Sequence, residues 1–485
     1  MRKQIIAVFL GRIVAMICTF LIPLILTRIM PKSEYGVYQI FYTIMLFSVS
    51  FFGLGIHSNL YYFYPIAKDS EKRKIYISSV FIILFLIAIL TLFLFFIPYI
   101  KRIFLGELED RNMQFLLVSC IVLLIPTNII DSFIVVKNKT FLNLFYPPFE
   151  NILKVISIVG FYIFNKNVIS VAYGFLFYSL LKLLFSFILV AKDLTLKSIR
   201  FEYIREQLEY GIPFGIAVSI KTLTQRLDKL ILINSVSASA YASYSVAFFG
   251  IPGITILFDS FSRVLIIRLS ELLHSSEVDE AHKLYKKLIA KTASITIPLL
   301  FLVYFLSSDI IAVIFTNEYL DAIVFFQVYL ITIFLLMFCP GLILRAAGKT
   351  RSTMRIYLYS SLITIPTTVM LIKLFSSYGA IVSSVISLLI PTVIILNSER
   401  KLLSKTIKEF LPIRDIVVHM IISIAGIGLL TLVSHIFSNM IVKIFISSIV
   451  YLGIIFFIQI KLHMFVIEDI KVVRNLLIAK IYKKS

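Results

Sequence analysis

Fourteen apolar runs follow one another along the 485 residues, each close to the length of a bilayer-spanning helix. They lie at about 5–26, 36–56, 76–97, 114–133, 147–164, 168–190, 210–232, 240–262, 288–306, 323–344, 356–374, 380–396, 416–436 and 440–457. A spanning helix needs ~20 mostly apolar residues, so fourteen of them use about 280. That matches a hydrophobic share of 60% and leaves only short loops. A soluble chain of this length cannot bury so much apolar surface, which excludes a water-soluble enzyme. The strands of a membrane barrel would alternate with a period of two over ~10 residues, and these runs do not. The expected fold is all-α: a polytopic membrane protein with about 14 transmembrane helices.

The formal charge of +21 resembles a nucleic-acid signal until it is mapped. With the N-terminus placed in the cytoplasm, 32 of the 47 Lys and Arg fall in cytoplasmic segments, six in the opposite loops and nine inside the runs. Cytoplasmic loops carry the Lys and Arg excess of membrane proteins. The split therefore predicts both termini, and the 191–209 and 397–415 loops, in the cytoplasm, with no nucleic acid as partner. The first run follows Met1-Arg2-Lys3, continues to Leu26, carries Arg12 and lacks a small-residue cleavage pattern, so it reads as a retained span. With no Trp, the 25 Tyr must supply any interfacial aromatic belt. Cys18, Cys120 and Cys339 are odd in number and lie in apolar runs, as buried hydrophobes rather than a disulfide framework. The six His show no metal-ligand spacing, and no metal or other cofactor is expected. The longest outer connections, 98–113 and 307–322, are too short for a folded domain.

Prolines sit inside many of the runs, among them Pro23, Pro126, Pro252, Pro298, Pro340, Pro366 and Pro391. Each removes a backbone donor and invites a kink, a feature that transporters use routinely. A weak internal repeat accompanies them. Tyr35-Gly36-Val37-Tyr38 corresponds in place to Tyr241-Ala242-Ser243-Tyr244, and Ile103-Phe104-Leu105-Gly106-Glu107 to Ile314-Phe315-Thr316-Asn317-Glu318. The predicted organisation is a six-helix half (1–190), a cytoplasmic linker (191–209), a like-oriented six-helix half (210–396), an appended hairpin (416–457) and a basic cytoplasmic tail (458–485).

A charge at the bilayer centre costs at least ~2.5–3.5 kcal/mol, so the charges inside the runs need reasons. Lys291, Lys373 and Lys443 lie near span ends and can snorkel. Asp259 with Arg263, and Glu150 with Lys154, are spaced as local i,i+4 ion pairs. Lys182 and Lys221 sit near the middle of their spans without an opposite charge within four residues of their own helix. Both are read as facing a water-filled cavity, the alternative being a buried pair with another helix. Lys221, Thr224, Gln225 and Asp228 recur at i, i+3, i+4 and i+7, one polar stripe on an otherwise apolar helix. Asp228 is expected to pair with a cation across the cavity. Arg226 and Lys229 fall off the stripe, and they and Arg12 are divided between cavity and snorkelling. Nine cations against four acids inside the runs predict an anionic cargo. Gln39, Tyr42, Thr43 and Gln225 could serve neutral hydroxyls.

The segment Leu26-Thr27-Arg28-Ile29-Met30-Pro31-Lys32-Ser33-Glu34-Tyr35-Gly36-Val37-Tyr38 resembles the first-loop signature of polysaccharide-unit flippases, members of the multidrug/oligosaccharidyl-lipid/polysaccharide exporter superfamily. Tyr210-Gly211-Ile212-Pro213 with Asp228, Ile314-Phe315-Thr316-Asn317-Glu318-Tyr319, Gly348-Lys349 and Tyr378-Gly379-Ala380 resemble the pattern of that family's second half. The likeness covers roughly residues 5–396. Ile29-Met30 replaces the family's usual Leu-Gly, and fourteen spans instead of twelve resemble the lipid II flippase branch. The resemblance implies a non-enzymatic flippase in the bacterial inner membrane. Its cargo would be an undecaprenyl-diphosphate-linked oligosaccharide unit, with membrane lipids and the polymerase and chain-length proteins of surface polysaccharide assembly as partners. On this reading Lys182, Lys221, Asp228, Arg12, Gln225, Thr224 and Arg226 line the substrate site. Three alternatives stand beside it: a lipid II-type flippase, a cation-coupled multidrug exporter of the same fold, and a membrane-embedded glycosyltransferase or polymerase. An exporter of organic cations would want a carboxylate-rich pocket, and the first span has no acid. The short loops offer no paired-carboxylate motif for a transferase.

Overall fold

The structure, a computed structural model, describes residues 2–462 except 68, 106, 107, 109, 138, 196–200, 250–253 and 438. All secondary structure among the described residues is helical. Ten helical stretches are long and apolar enough to cross a membrane, and Val14–Ile29 is a shorter apolar one. The runs at 210–232 and 240–262 are missing from those ten for visible reasons. The first carries Lys221, Arg226, Asp228 and Lys229, and the second is split into two helices. The basic tail from 463 lies outside the described residues.

The chain forms two compact units. The first, Met1–Pro252 with Tyr357–Ser387, begins with α1 (Arg2–Ile29), α2 (Lys32–Phe52), α3 (Asn59–Ile66), α4 (Ser70–Leu94) and the short α5 (Pro98–Leu105). It continues through α6 (Arg111–Thr127), α7 (Ile129–Val136), α8 (Thr140–Asn165), α9 (Val168–Ala191), α10 (Phe201–Ile233) and α11 (Ala238–Ala247). The break between α6 and α7 falls at Asn128, two residues after Pro126, which lacks an N–H for the preceding turn. Lys166 turns the chain between α8 and α9 at φ 47°, and Asn167 caps α9 by accepting from the Ile169 N–H at 3.2 Å. α8 and α9 then cross closely because Gly174 leaves no Cβ, which would lie 2.6 Å from the Ser157 carbonyl oxygen. The tightest approach joins the starts of α2 and α11, where a Cβ on Gly36 would sit 1.8 Å from the Ala238 carbonyl oxygen. The first pair of matching segments, Tyr35–Tyr38 and Tyr241–Tyr244, is thus brought together. Tyr35, Tyr38, Tyr241 and Tyr244 are all buried, and Tyr241 donates to the Thr43 hydroxyl at 2.9 Å.

The second unit, Gly253–Ile356 with Leu388–Ser485, contains α12 (Ile254–His274), α13 (Val278–Phe305), α14 (Ser307–Phe315), α15 (Ile323–Leu336) and the five-residue α16 (Leu342–Ala346). The long α17 (Thr350–Leu402) contributes to both units and is two helices in substance. Ser376 has φ 50° and ψ −126°, and Gly379 approaches the Leu371 carbonyl so closely that a Cβ would lie 1.9 Å away. Residues eight apart in a straight helix are separated by about 12 Å of rise, so the chain reverses there. This accounts for two runs within one continuous helical assignment. α18 (Ile407–Phe410), α19 (Ile413–Ile436) and α20 (Met440–Lys461) complete the unit. α19 and α20 pack on α13 through Leu302, Leu306, Leu430, Tyr451 and Ile455. Gln459 donates to the Ser294 carbonyl at 3.0 Å, and Lys443 pairs with Asp309 at 2.8 Å. Lys443, expected to snorkel, thus finds a carboxylate on α14. Cys18, Cys120 and Cys339 are buried free thiols.

Candidate functional site

The stripe on α10 lies within the first unit and divides along its length. A helix advances 100° per residue, so Thr224, Asp228, Lys221 and Gln225 follow one another across a band about 100° wide. Its Thr224 and Asp228 edge is buried, at 8% and 3% exposure, while Lys221 and Gln225 on the other edge are exposed. Thr224 donates its hydroxyl to the Ile220 carbonyl at 2.9 Å, one turn back. Asp228 accepts from the Tyr244 hydroxyl at 2.6 Å. The neighbouring Lys229 acts on this carboxylate electrostatically, but its direct hydrogen-bond partner is a phenol. A tyrosine of α11 satisfies the carboxylate, because the Asp228 side of α10 packs toward α11 instead of opening to a cavity. The signal for Tyr244 was present in the sequence, as the repeat partner of Tyr38, but nothing local linked it to Asp228.

Lys221 keeps its ammonium at the exposed edge, 5.4 Å from the centroid of the Tyr357 ring on the first limb of α17. Arg226 is half-buried, and Lys229 lies 3.8 Å from the Phe248 ring centroid, over its face. Aromatic faces thus stand beside two of the cations of this helix, a pattern no spacing along α10 reveals.

Lys182 departs from its expected cavity-facing position. Its ammonium meets Glu150 Oε1 at 2.6 Å, and the same oxygen accepts from the Tyr178 hydroxyl at 2.6 Å. The inter-helix pair between α8 and α9 is therefore the alternative that the structure contains. Glu150 turns across to α9 instead of along its own helix to Lys154, so the expected i,i+4 pair gives way. Lys154 instead lies over the Tyr42 ring at 5.2 Å, with its ammonium 3.4 Å from the Tyr42 hydroxyl. Of the groups expected to serve neutral hydroxyls, Thr43 is buried under Tyr241 and Gln39 donates to the Tyr35 hydroxyl at 2.7 Å. Gln225 stays exposed and Tyr42 half-buried. Lys373 is exposed three residues before the reversal at Ser376, as a span-end lysine should be. Arg12 belongs to α1, but its side chain, like those of Asp259 and Arg263, lies outside the described residues.

Taken together, the first unit holds an exposed lysine and amide on α10, a neutralised lysine on α9 and an aromatic-backed lysine on α8. Such groups can hold an anion and neutral hydroxyls; none is placed as a nucleophile beside a base.

No curated protein matches the sequence. Among solved structures, the chain is similar to the lipid II flippase MurJ in its inward closed conformation, with 19% identity over 95% of this chain and 100% of that one and a TM-score of 0.69. It is also similar to an inward-facing multidrug resistance MATE family transporter of the MOP superfamily, with 15% identity, 82% and 94% coverage and a TM-score of 0.57. A Vibrio cholerae MATE transporter mutant gives 10% identity, 84% and 98% coverage and a TM-score of 0.52. These likenesses establish the fold. The family described as polysaccharide biosynthesis protein matches residues 25–324, more than half of the sequence, and the chain belongs to that family.

Proposed function

We propose that the protein is a flippase that carries an undecaprenyl-diphosphate-linked oligosaccharide unit from the cytoplasmic to the outer face of the bacterial inner membrane by alternating access. The exported unit feeds surface polysaccharide assembly, where the polymerase and chain-length proteins are its partners. The observation that carries this reading is Lys221. It is an exposed ammonium well inside α10, beside Tyr357 and next to the exposed Gln225. Access to water at this edge lowers the cost of a cation at that depth. A diphosphate would meet it with a charge-assisted contact, and Gln225 would serve a sugar hydroxyl. Asp228, buried under Tyr244, is kept off the exposed edge, so it does not repel an anionic cargo. Arg226 adds positive charge beside this edge, and Lys182 contributes through its pair with Glu150. The polyprenyl tail stays in lipid. Both termini are cytoplasmic on this reading, in keeping with the Lys and Arg distribution.

A lipid II-type cargo is the second reading, favoured by the 95% coverage of this chain by the lipid II flippase fold. Both cargoes carry a diphosphate, so Lys221 has the same task in each. The test is a strain lacking the wild-type protein, complemented at matched membrane expression and scored for surface polysaccharide. Lys221→Arg should retain part of the export and Lys221→Gln should lose it. Export by Lys221→Gln at the wild-type level, with Lys221→Arg inactive, would overturn the anionic cargo. Rescue of peptidoglycan synthesis without any effect on surface polysaccharide would favour lipid II.

A further inference from the structure

α8 carries a cation that the stripe on α10 does not involve. Lys154 lies near the middle of this 26-residue helix, about 16 Å of helix from its nearer end at ~1.5 Å per residue. That depth is beyond comfortable snorkelling. Among the described residues, no carboxylate lies within ion-pair distance of its ammonium. Glu150, one turn earlier, is committed to Lys182 and Tyr178, each at 2.6 Å. Two lysines share one glutamate here, and Lys154 is left with the surplus positive charge.

The surroundings of Lys154 are built rather than incidental. The Tyr42 ring lies under the ammonium at 5.2 Å, and the Tyr42 hydroxyl is 3.4 Å from it. Tyr38 and Phe175 back that ring at 6.0 and 5.8 Å, tilted only 11° and 21° from it, which fixes its orientation. One turn along α8, Asn151 Oδ1 accepts from the Thr19 hydroxyl of α1 at 3.0 Å, in an exposed contact. A row of cation, phenol, amide and hydroxyl thus runs across α2, α8 and α1 without an uncompensated acid in it.

We infer that Lys154 and Tyr42 form a second anion subsite, which takes a phosphate-type group, with Thr19 and Asn151 placed for the hydroxyls of an attached sugar. Lys154 is the contact and Tyr42 the positioning residue. A point charge on a flexible stem suits a phosphate, and the Tyr42 ring beneath the ammonium fixes where that charge sits. Glu150 decides which lysine is available, because it neutralises Lys182 and leaves Lys154 to the ligand. The inference rests on the flippase reading to the extent that the phosphate is the diphosphate of a lipid-linked saccharide; a membrane phospholipid headgroup offers the same chemistry.

The experiment uses the full chain in nanodiscs of zwitterionic lipid, titrated with radiolabelled undecaprenyl diphosphate, in the presence or absence of phosphatidylglycerol. Lys154→Gln should weaken binding by about ten- to a hundredfold, the size of a lost charge-assisted contact. Lys154→Arg should stay within about threefold of wild type. Tyr42→Phe, which keeps the ring, should bind nearly as wild type, whereas Tyr42→Leu should approach Lys154→Gln; this pair of variants decides the matter if Lys154→Gln fails to fold. Undiminished binding by Lys154→Gln and Tyr42→Leu, with Lys221→Gln weakened, would remove the subsite and leave the flippase reading intact. Equal competition by phosphatidylglycerol would reassign the subsite to a membrane headgroup and refute the diphosphate. Failure of the wild-type protein to bind undecaprenyl diphosphate would end both proposals.

Discussion

Lys182 and Lys221 occupy similar depths in similarly apolar runs, yet their surroundings are opposite. Lys182 sits between α8 and α9 with its charge cancelled by Glu150 at 2.6 Å, and Tyr178 shares the same carboxylate oxygen. Lys221 lies at an exposed edge of α10 with an aromatic ring beside it. Depth alone therefore does not fix what surrounds a lysine inside an apolar run. Its neighbours do, and they come from another part of the chain.

The sharpest way to break this comparison is to remove the partner of Lys182. Breaking a fully buried pair from one side costs about 3–5 kcal/mol, and this half-buried one should cost somewhat less, with the other charge left uncompensated. Glu150→Gln should lower the melting temperature of the purified protein by several degrees. Adding Lys182→Gln should recover most of the loss, a coupling that a double-mutant cycle would quantify. Additive losses would mean that the pair is not the unit of stability.

Lys221 should behave in the opposite sense. Lys221→Gln is expected to melt like wild type while capturing cargo about ten- to a hundredfold more weakly, as loss of a ~1.5–3 kcal/mol contact implies. A large stability loss with unchanged capture would make Lys221 structural and erase the contrast. Tyr244→Phe probes the buried edge of the same stripe. Removing the Tyr244 donor from the buried Asp228 carboxylate costs about 1–3 kcal/mol, so the melting temperature should fall, and Asp228→Asn in the same background should restore part of it. The smallest effect belongs to Tyr357→Leu. It removes a cation–π contact worth about 0.5–2 kcal/mol, so capture should weaken by roughly two- to thirtyfold with little change in melting. Matching losses for Tyr357→Leu and Tyr244→Phe in both assays would show that the two edges of α10 are not functionally distinct.

Much of the fold was legible before the structure. The apolar runs fall on helices, and the thiols are buried as their runs implied. The candidate site was legible only in outline. Periodicity along α10 identified the polar stripe, because side-chain direction within one helix follows from residue number alone. The same rule misled at Glu150. Its i,i+4 neighbour Lys154 is the local choice, and the glutamate pairs instead with Lys182, 32 residues away in sequence. Local pairs contribute only ~0.2–0.5 kcal/mol on a helix surface, so a better-oriented partner with a tyrosine beside it easily overrides them.

By itself, the sequence determined that this chain is an all-helical membrane protein, since ~20-residue apolar runs have no other stable arrangement in lipid than hydrogen-bonded helices. It also determined an excess of cations within those helices, which composition alone counts. Only the tertiary structure decided which cations are cancelled. It set Lys182 against Glu150, Lys154 over Tyr42 and Tyr244 against Asp228. The physical reason is range. Helix formation is settled by neighbours three and four residues apart, whereas a charge in a low-dielectric interior takes whichever oppositely charged or hydrogen-bonding group the packing of helices brings within ~4 Å.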